Sequence, residues 1–110
     1  MEIHKFNDMK GGWYIGDFTP SAFKTKDFEV CYKKHTKGEK WDDHYHKLGT
    51  EINYLIKGKI KIQDKVVVSG EIFIFPPYEI ADPEFLEDCE LIIVKTPSNK
   101  KDKYVIDIKK

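Results

Sequence analysis

Two histidines and a glutamate lie close together in the first half of the sequence. His44 and His46 are separated by one residue, and Glu51 follows after four more. Residues two apart on a strand project from the same face, so both imidazoles are expected on one side of a sheet. If residues 47–50 form a four-residue hairpin loop, Glu51 lies opposite His46, and Asn53 lies opposite His44 on that same face.

Two imidazole nitrogens and one carboxylate form a ligand set for a divalent metal. Such a set suits Fe(II), Mn(II), Ni(II), Cu(II) or Zn(II) and leaves positions open for water or substrate. It also resembles the two-His-one-carboxylate triad of non-haem iron oxygenases. The alternative is that both histidines are solvated strand residues and that Glu51 is their ion-pair partner.

The elements that must position these residues are predicted to be strands. Apolar residues alternate with other residues over 28–33 and 52–56, and no stretch follows a helical period. Other runs rich in Ile, Val, Phe and Tyr predict strands at 59–63, 65–69, 71–75, 89–95 and 104–108, with an edge strand at 13–15. Gly and Pro separate the runs every 8 to 12 residues or so, which is typical of an antiparallel sandwich or barrel.

Length and charge restrict the class of protein. The 110 residues are expected to form a single domain, residues 1–110. The 19 acidic residues balance 19 basic residues, all of them lysine, so nucleic acid is an unexpected partner. No apolar run approaches the roughly 20 residues that span a bilayer, and residues 1–10 do not form a secretory signal, so we expect a cytoplasmic protein without a membrane partner.

The remaining cysteines and histidines are interpreted as structural. Cys31 and Cys89 lie in strand-like runs without a C-x-x-C spacing and are expected to be buried free thiols. A disulfide or a catalytic thiol is the alternative. His4 and His35 are expected to be solvated or satisfied by neighbouring residues rather than to bind metal.

Two stretches resemble the motifs of the cupins, which are small β-barrels of jelly-roll form. The spacing G-x5-H-x-H-x4-E-x6-G over 38–58 is similar to the first cupin motif, and 70–76 is similar to the opening of the second, G-x5-P-x-G-x2-H. The resemblance implies an all-β, double-stranded β-helix. Where the second motif has its second glycine and its histidine, this sequence has Tyr78 and Ala81.

The resemblance also implies which residues hold a metal. Metal-binding cupins use two histidines and a glutamate from the first motif, which here are His44, His46 and Glu51, and a histidine from the second. Ala81 cannot replace that histidine, so the fourth position is expected to hold water. Asp82 could replace it only if a bulge turned its side chain inward. A barrel without metal is a further alternative.

The implied function is metal-assisted chemistry on a small polar molecule, most plausibly a sugar or organic acid. A metal acting as Lewis acid would suit an isomerase, epimerase or lyase, and the segment 94–104 resembles small cupins associated with carbohydrate metabolism. Asn53, Tyr78 and Asp82 are candidate residues of the substrate pocket. A non-haem Fe(II) dioxygenase and a non-catalytic binding module are the alternatives.

Two aromatic residues beside the histidines predict a protein partner. Trp41 and Tyr45 alternate with His44 and His46, so they should point away from the interior of the barrel. There they could supply apolar area to a homodimer interface, which also fits the habit of small cupins to pair. The alternative is partial packing under the N-terminal arm. Lys33 is expected to be a solvated strand residue.

Overall fold

A computed structural model of the chain describes residues 1–106. In that range the fold consists of short antiparallel strands, and its single helical segment is a 3-10 helix at Phe6–Asp8. The strands are β1 (Trp13–Ile15), β2 (Glu29–His35), β3 (His44–Tyr45), β4 (Thr50–Lys57), β5 (Lys59–Ile62), β6 (Lys65–Val68), β7 (Ile72–Phe75), β8 (Glu84–Phe85), β9 (Cys89–Thr96) and β10 (Tyr104–Val105). No helix within residues 1–106 is long and apolar enough to cross a membrane.

All but the last of the predicted strands are confirmed to within two residues at each end, and β8 was not predicted. The last predicted strand, 104–108, is shorter than expected because β10 ends at Val105. Residues 107 and 108 of that prediction lie outside the described residues.

The strands form two layers. One layer is a five-stranded sheet in the order β1-β2-β9-β4-β7. The other layer contains the three-stranded sheet β6-β5-β8 and the pair β10-β3. Single bridges from residue 40 to 84 and from residue 44 to 81 extend this second layer. Each strand pair in the described chain is antiparallel, as expected for a sandwich-like barrel.

The hydrophobic core lies between the two layers. Alternation sets its boundary: on β4, Asn53 and Leu55 are buried, whereas Tyr54 and Ile56 face outward and are exposed. The five-stranded sheet contributes Leu55, Phe75, Cys89 and Leu91 to this core, and the opposite layer contributes Ile60, Ile62, Ala81 and Phe85.

One detail of the predicted pairing is wrong. The segment holding His44 and His46 does not form a hairpin with β4. Instead β3 pairs with β10 and bridges to Ala81, while β4 pairs with β7 and β9. The chain crosses from one layer to the other between His46 and Glu51, so these side chains approach each other from facing layers rather than from adjacent strands.

The cysteines behave as predicted. Cys31 and Cys89 are both free and buried, on β2 and β9. Burial raises the pKa of the Cys31 thiol to about 11, and it also raises the pKa of Cys89. Both thiols therefore stay protonated near neutral pH, which argues against thiol catalysis.

Candidate metal centre and cavity

The three residues of the first motif come together inside the barrel. His44, His46 and Glu51 each offer one ligand atom, and these atoms lie within 4.8 Å of one another. Both histidines are buried, with 6% and 5% of their surface exposed, and Glu51 is half-buried. Burial of two imidazoles beside a carboxylate excludes the alternative in which the histidines are solvated strand residues.

Neighbouring groups orient two of these side chains. Nδ1 of His44 lies 3.1 Å from the carbonyl oxygen of Asp42, so Nδ1–H donates to that oxygen and Nε2 keeps its lone pair. The Asn53 amide donates a 3.0 Å hydrogen bond to Oε2 of Glu51. Support of this kind, from a backbone carbonyl and a side-chain amide, is what holds metal ligands in a fixed orientation.

The environment keeps His46 in the form that a metal needs. Burial lowers the pKa of its imidazole, and the Lys95 ammonium lowers it further, while the Glu51 carboxylate acts in the opposite direction. The net effect is a pKa below the usual value, so the ring is neutral at pH 7 and can act as a ligand. The donor set therefore fits a divalent transition metal.

Asp102 fixes the loop that joins the second histidine to the glutamate. Its carboxylate accepts hydrogen bonds of 2.8 to 3.1 Å from the backbone N–H groups of Lys47, Leu48 and Gly49. Burial alone would raise the pKa of this carboxyl, but the three N–H donors outweigh it, and the pKa lies below its usual value. The distance from His46 to Glu51 is thus set by a side chain more than fifty residues away.

The triad faces a cavity of about 260 Å³ between the two layers. This is just below the about 300 to 1,000 Å³ of typical ligand pockets, so a bound molecule must be small. Its walls are largely apolar, with Phe73, Phe75, Leu91 and Ile93 on the five-stranded sheet. The polar groups are the triad, Asn53 and several charged side chains.

Ala81 lies beside the triad, as the resemblance to the second motif predicted. It forms an antiparallel bridge with His44, with N–H to O distances of 2.7 and 3.0 Å, and it is 4% exposed at the wall of the cavity. Directly opposite residues of an antiparallel bridge project from the same face. The Ala81 methyl group therefore points to the same side as the His44 imidazole, where it cannot coordinate a metal.

Two of the three candidate pocket residues lie elsewhere. Asn53 lines the cavity, but Tyr78 and Asp82 are not among the residues of its wall. Tyr78 is 65% exposed and has φ +70°, a left-handed conformation that favours the glycine of the second motif. Asp82 accepts a 2.9 Å hydrogen bond from the N–H of Gln63 in the β5–β6 turn, and it is not among the residues whose ligand atoms converge.

The predicted direction of Trp41 is wrong. Its ring lines the cavity, and its indole N–H donates a 2.6 Å hydrogen bond to Glu39. The chain has no regular strand between His35 and His44, so side chains do not alternate there. Tyr45, on β3, does point away from the triad and stacks between the rings of Tyr78 and Tyr104.

The other two histidines are placed as expected. His35 is buried, its Nδ1–H donates a 2.7 Å hydrogen bond to the Glu39 carboxylate, and its ring stacks on Phe85. His4 is exposed and contacts Glu2 at 3.2 Å. Neither contributes to the triad.

Sequence reasoning missed the charged residues of the cavity. Lys33, Glu29 and Lys95 all line it, although Lys33 was expected to be solvated. They occupy inward positions on β2 and β9, which become apparent only once the register of these strands is known: Glu29 and Lys95 are directly opposite each other. The available signal was on β2, where Glu29 and Lys33 share strand parity with the buried Cys31.

Comparisons with known proteins bear on the fold. A scan against protein-family profiles finds no match, and neither does a search of curated proteins. Among solved structures, an uncharacterized conserved protein with a double-stranded β-helix domain from Klebsiella pneumoniae subsp. pneumoniae MGH 78578 is 19% identical, with a TM-score of 0.68 over 74% of this chain and 71% of that one.

Two further structures are similar. The RmlC-like cupin from Shewanella frigidimarina NCIMB 400 is 18% identical, with a TM-score of 0.62 over 70% of this chain and 72% of that one. Pac13 from Streptomyces, described as a unique nucleoside dehydratase, is 13% identical, with a TM-score of 0.62 over 74% and 70% of the two chains. The resemblance inferred from the two motifs is confirmed by these structures: the chain has the cupin-like double-stranded β-helix fold.

Proposed function

We propose that the protein is a metal-dependent enzyme that acts on a small polar molecule, a sugar or an organic acid, in the cavity between its two layers. The observation that carries this proposal is the convergence of His44, His46 and Glu51 at the wall of that cavity. The similarity to a dehydratase and to RmlC-like cupins supports an enzyme of this general kind.

His44, His46 and Glu51 would hold the metal. A divalent ion bound there would supply Lewis-acid polarisation of a carbonyl or hydroxyl oxygen, as isomerase, epimerase and lyase reactions require. The apolar part of the wall lowers the local dielectric, which strengthens charge interactions within the cavity. Asn53 is committed to Glu51, so its role is to orient that ligand rather than to contact substrate.

Because Ala81 cannot coordinate, the position that the histidine of the second motif would fill stays open to water or substrate. A fully ligated metal has no room for substrate, whereas a three-ligand site keeps an open position, which is typical of catalytic sites. The same three ligands would also serve a non-haem Fe(II) dioxygenase. Metal analysis and oxygen uptake separate these functions: a dioxygenase would retain iron and consume O₂ with its substrate, whereas the proposed enzyme would not consume O₂.

Calorimetric titration with Mn(II), Ni(II) and Zn(II) tests the proposal. The native protein should bind at least one of these ions at one site per chain, and His44→Ala should lose this binding because two ligands compete poorly with water. His4→Ala, which changes an exposed histidine, is the matched control and should bind as the native protein does. Equal binding by native protein and His44→Ala would contradict the metal centre.

We also propose that the protein is a homodimer, through a surface other than the one first expected. The outer face of β4 and β7 carries four exposed apolar residues, Tyr54, Ile56, Ile72 and Ile74, between 38% and 65% exposed. Tyr54 and Ile72 are directly opposite each other, and β7 ends the order of the five-stranded sheet in the described chain, so the patch is continuous and reaches a sheet edge.

Light scattering at micromolar concentration tests the dimer. The native protein should give twice the 12.9 kDa chain mass, and Ile74→Lys should give the chain mass because a charge would be buried in the interface. Val66→Lys, on an exposed apolar residue of β6, is the control and should stay dimeric. A native protein at the chain mass would refute the dimer and leave the metal proposal unaffected.

A further inference from the structure

A row of charged side chains crosses the inner face of the five-stranded sheet at the candidate metal centre. Glu29 on β2, Lys95 on β9 and Glu51 on β4 are directly opposite one another in the register of these strands. Adjacent strands are about 4.8 Å apart, so Lys95 lies one strand away from a residue of the triad. All three line the same cavity.

Glu29 is held in place by a buried hydrogen-bond chain. It is fully buried, and its Oε1 accepts a 3.0 Å hydrogen bond from the hydroxyl of Ser98, which itself accepts a 2.8 Å hydrogen bond from the N–H of Asp17. Its Oε2 has no hydrogen-bond partner within residues 1–106. A buried charged oxygen without a partner is costly, so the carboxylate must be balanced by a nearby cation.

Lys95 is that cation, but the pair is incomplete. Its Nζ lies 3.8 Å from Oε2 of Glu29, which is an ion pair too long for a hydrogen bond. Only 12% of the Lys95 side chain is exposed. An ammonium carries three donors, so at this distance they remain available to a ligand in the cavity.

The cavity as a whole has an excess of positive charge. Four lysines, Lys33, Lys95, Lys100 and Lys103, line it, whereas Glu29 and Glu51 are the two carboxylates of its wall in the described chain. Lys100 lies 4.2 Å from the centre of the Trp13 ring, which keeps it at the cavity rather than in bulk solvent. A bound anion would relieve the repulsion between these lysines.

We propose that the cavity binds a small organic anion, a hydroxy or keto acid, whose carboxylate accepts hydrogen bonds from Lys95. The inference rests on the proposed function in one respect: the hydroxyl or carbonyl oxygen of the same molecule then lies at the triad. A carboxylate fits better than a phosphate, because the sequence has no arginine and the one helical segment within residues 1–106 is three residues long. Without a ligand, Glu29 is the counterion of the Lys95 ammonium, for which a bound carboxylate would compete.

Three probes built on a six-carbon polyol chain test the charge and its type. Gluconate carries a carboxylate, sorbitol replaces it with a neutral alcohol, and sorbitol 6-phosphate carries a phosphate. Their dissociation constants can be measured by NMR titration of ¹⁵N-labelled protein that a chelator has freed of metal. Calorimetry then repeats the titrations on protein loaded with Mn(II). Metal-free native protein should bind gluconate at least about tenfold more tightly than sorbitol, because one charge-assisted hydrogen bond contributes a difference in affinity of that size.

Variants assign this preference to Lys95. Lys95→Met keeps the apolar stem and should weaken gluconate binding about tenfold or more, whereas Lys61→Met, on the exposed face of β5, should leave it unchanged. Glu29→Gln removes the competing carboxylate and should tighten gluconate binding, a gain that a damaged fold would not give. If the NMR spectrum shows that Lys95→Met is unfolded, Lys100→Met replaces it, with a smaller expected loss.

The outcomes separate this inference from the metal proposal. Equal affinity for gluconate and sorbitol, or equal loss in Lys95→Met and Lys61→Met, would overturn the anion site even if Mn(II) binds. Tighter binding of sorbitol 6-phosphate than of gluconate would overturn the choice of carboxylate. A gluconate preference that depends on Lys95 in protein unable to bind Mn(II) would support the anion site and refute the metal centre.

Discussion

Asp102 offers a test of how the candidate metal centre is held together. In Asp102→Asn the side chain keeps its shape but replaces one acceptor oxygen with an NH₂ group, which cannot accept from a backbone N–H. The carboxylate bonds to three such donors, of which those of Lys47 and Leu48 are on exposed residues and can bond to water instead. Gly49 is buried, so its N–H would be left without a partner.

The expected cost follows from these contacts. An unsatisfied buried donor costs about 1 to 3 kcal/mol, and the remaining hydrogen bonds lose their charge assistance, so the free energy of unfolding should fall by about 2 to 4 kcal/mol. For a domain of this size the melting temperature should fall by about 8 to 16 °C. Asp43→Asn, on an exposed aspartate, makes the same change of charge and should alter stability by less than about 0.5 kcal/mol.

The stability difference should depend on pH in a defined direction. The folded state lowers the pKa of Asp102, so its contribution is complete above the pKa of an unfolded aspartate, about 3.9, and is lost as the pH falls toward the folded value. Urea denaturation of native protein and Asp102→Asn at pH 7, 5 and 3 measures this. The difference in free energy of unfolding between the two proteins should be equal at pH 7 and pH 5. At pH 3 it should be smaller, by up to about 1.4 kcal/mol for each pH unit below 3.9.

Two results would refute this reasoning. A loss below about 1 kcal/mol at pH 7 would mean that the carboxylate does not organise the loop. A stability difference that stays constant down to pH 3 would mean that the ionised form of Asp102 is not the one that the fold stabilises. In either case the distance between His46 and Glu51 would have to be set by other contacts.

Three other predictions concern separate parts of the barrel. Gly58→Ala should have a lower melting temperature than Gly38→Ala, because a Cβ at Gly58 would lie 2.6 Å from the Asp88 carbonyl oxygen, whereas a Cβ at Gly38 has open space. Equal melting temperatures for the two variants would contradict this packing. Ellman's reagent should not react with Cys31 before denaturant is added, and rapid labelling of native protein would contradict its burial. Ala81→His should tighten metal binding in calorimetry if its ring reaches the triad, and an unchanged affinity would mean that residue 81 does not face the metal.

The strands were predictable because their patterns are local. Alternation at every second residue and the intervening glycines depend on neighbours in sequence, so seven of the ten strands in the described chain were located to within two residues. The faces of the strands were harder to assign. On β4 the more apolar set, Ile52, Tyr54 and Ile56, faces outward, while Asn53 and Leu55 face the interior. Apolarity alone would place the wrong face of β4 inside, whereas the spacing of the candidate ligands placed Asn53 on the interior face.

The triad was predictable although the pairing used to derive it was wrong. For His44, His46 and Glu51 to converge, the two ends of the short loop between them need only lie close together. A hairpin would do this, and so does the observed crossing between layers. The three side chains converge in either case, because both geometries place them in the interior of the barrel.

The supporting residues could not be predicted because they depend on contacts distant in sequence. Asp102 lies more than fifty residues from the loop that it holds, and Glu29 faces Lys95 across a register that the sequence alone does not specify. Trp41 was misplaced for a related reason. It lies where the chain leaves regular strand geometry, so alternation no longer describes it.

Metal binding to the triad is the central claim, and one measurement tests it most directly. Protein purified without a histidine tag or chelator should be analysed for metals by mass spectrometry, with His44→Ala and the control His4→Ala prepared in parallel. We expect close to one equivalent of a divalent transition metal per chain in the native protein and in His4→Ala, and little in His44→Ala. Equal metal content in all three proteins, or none in the native protein even after loading with Mn(II), Ni(II) and Zn(II), would contradict it.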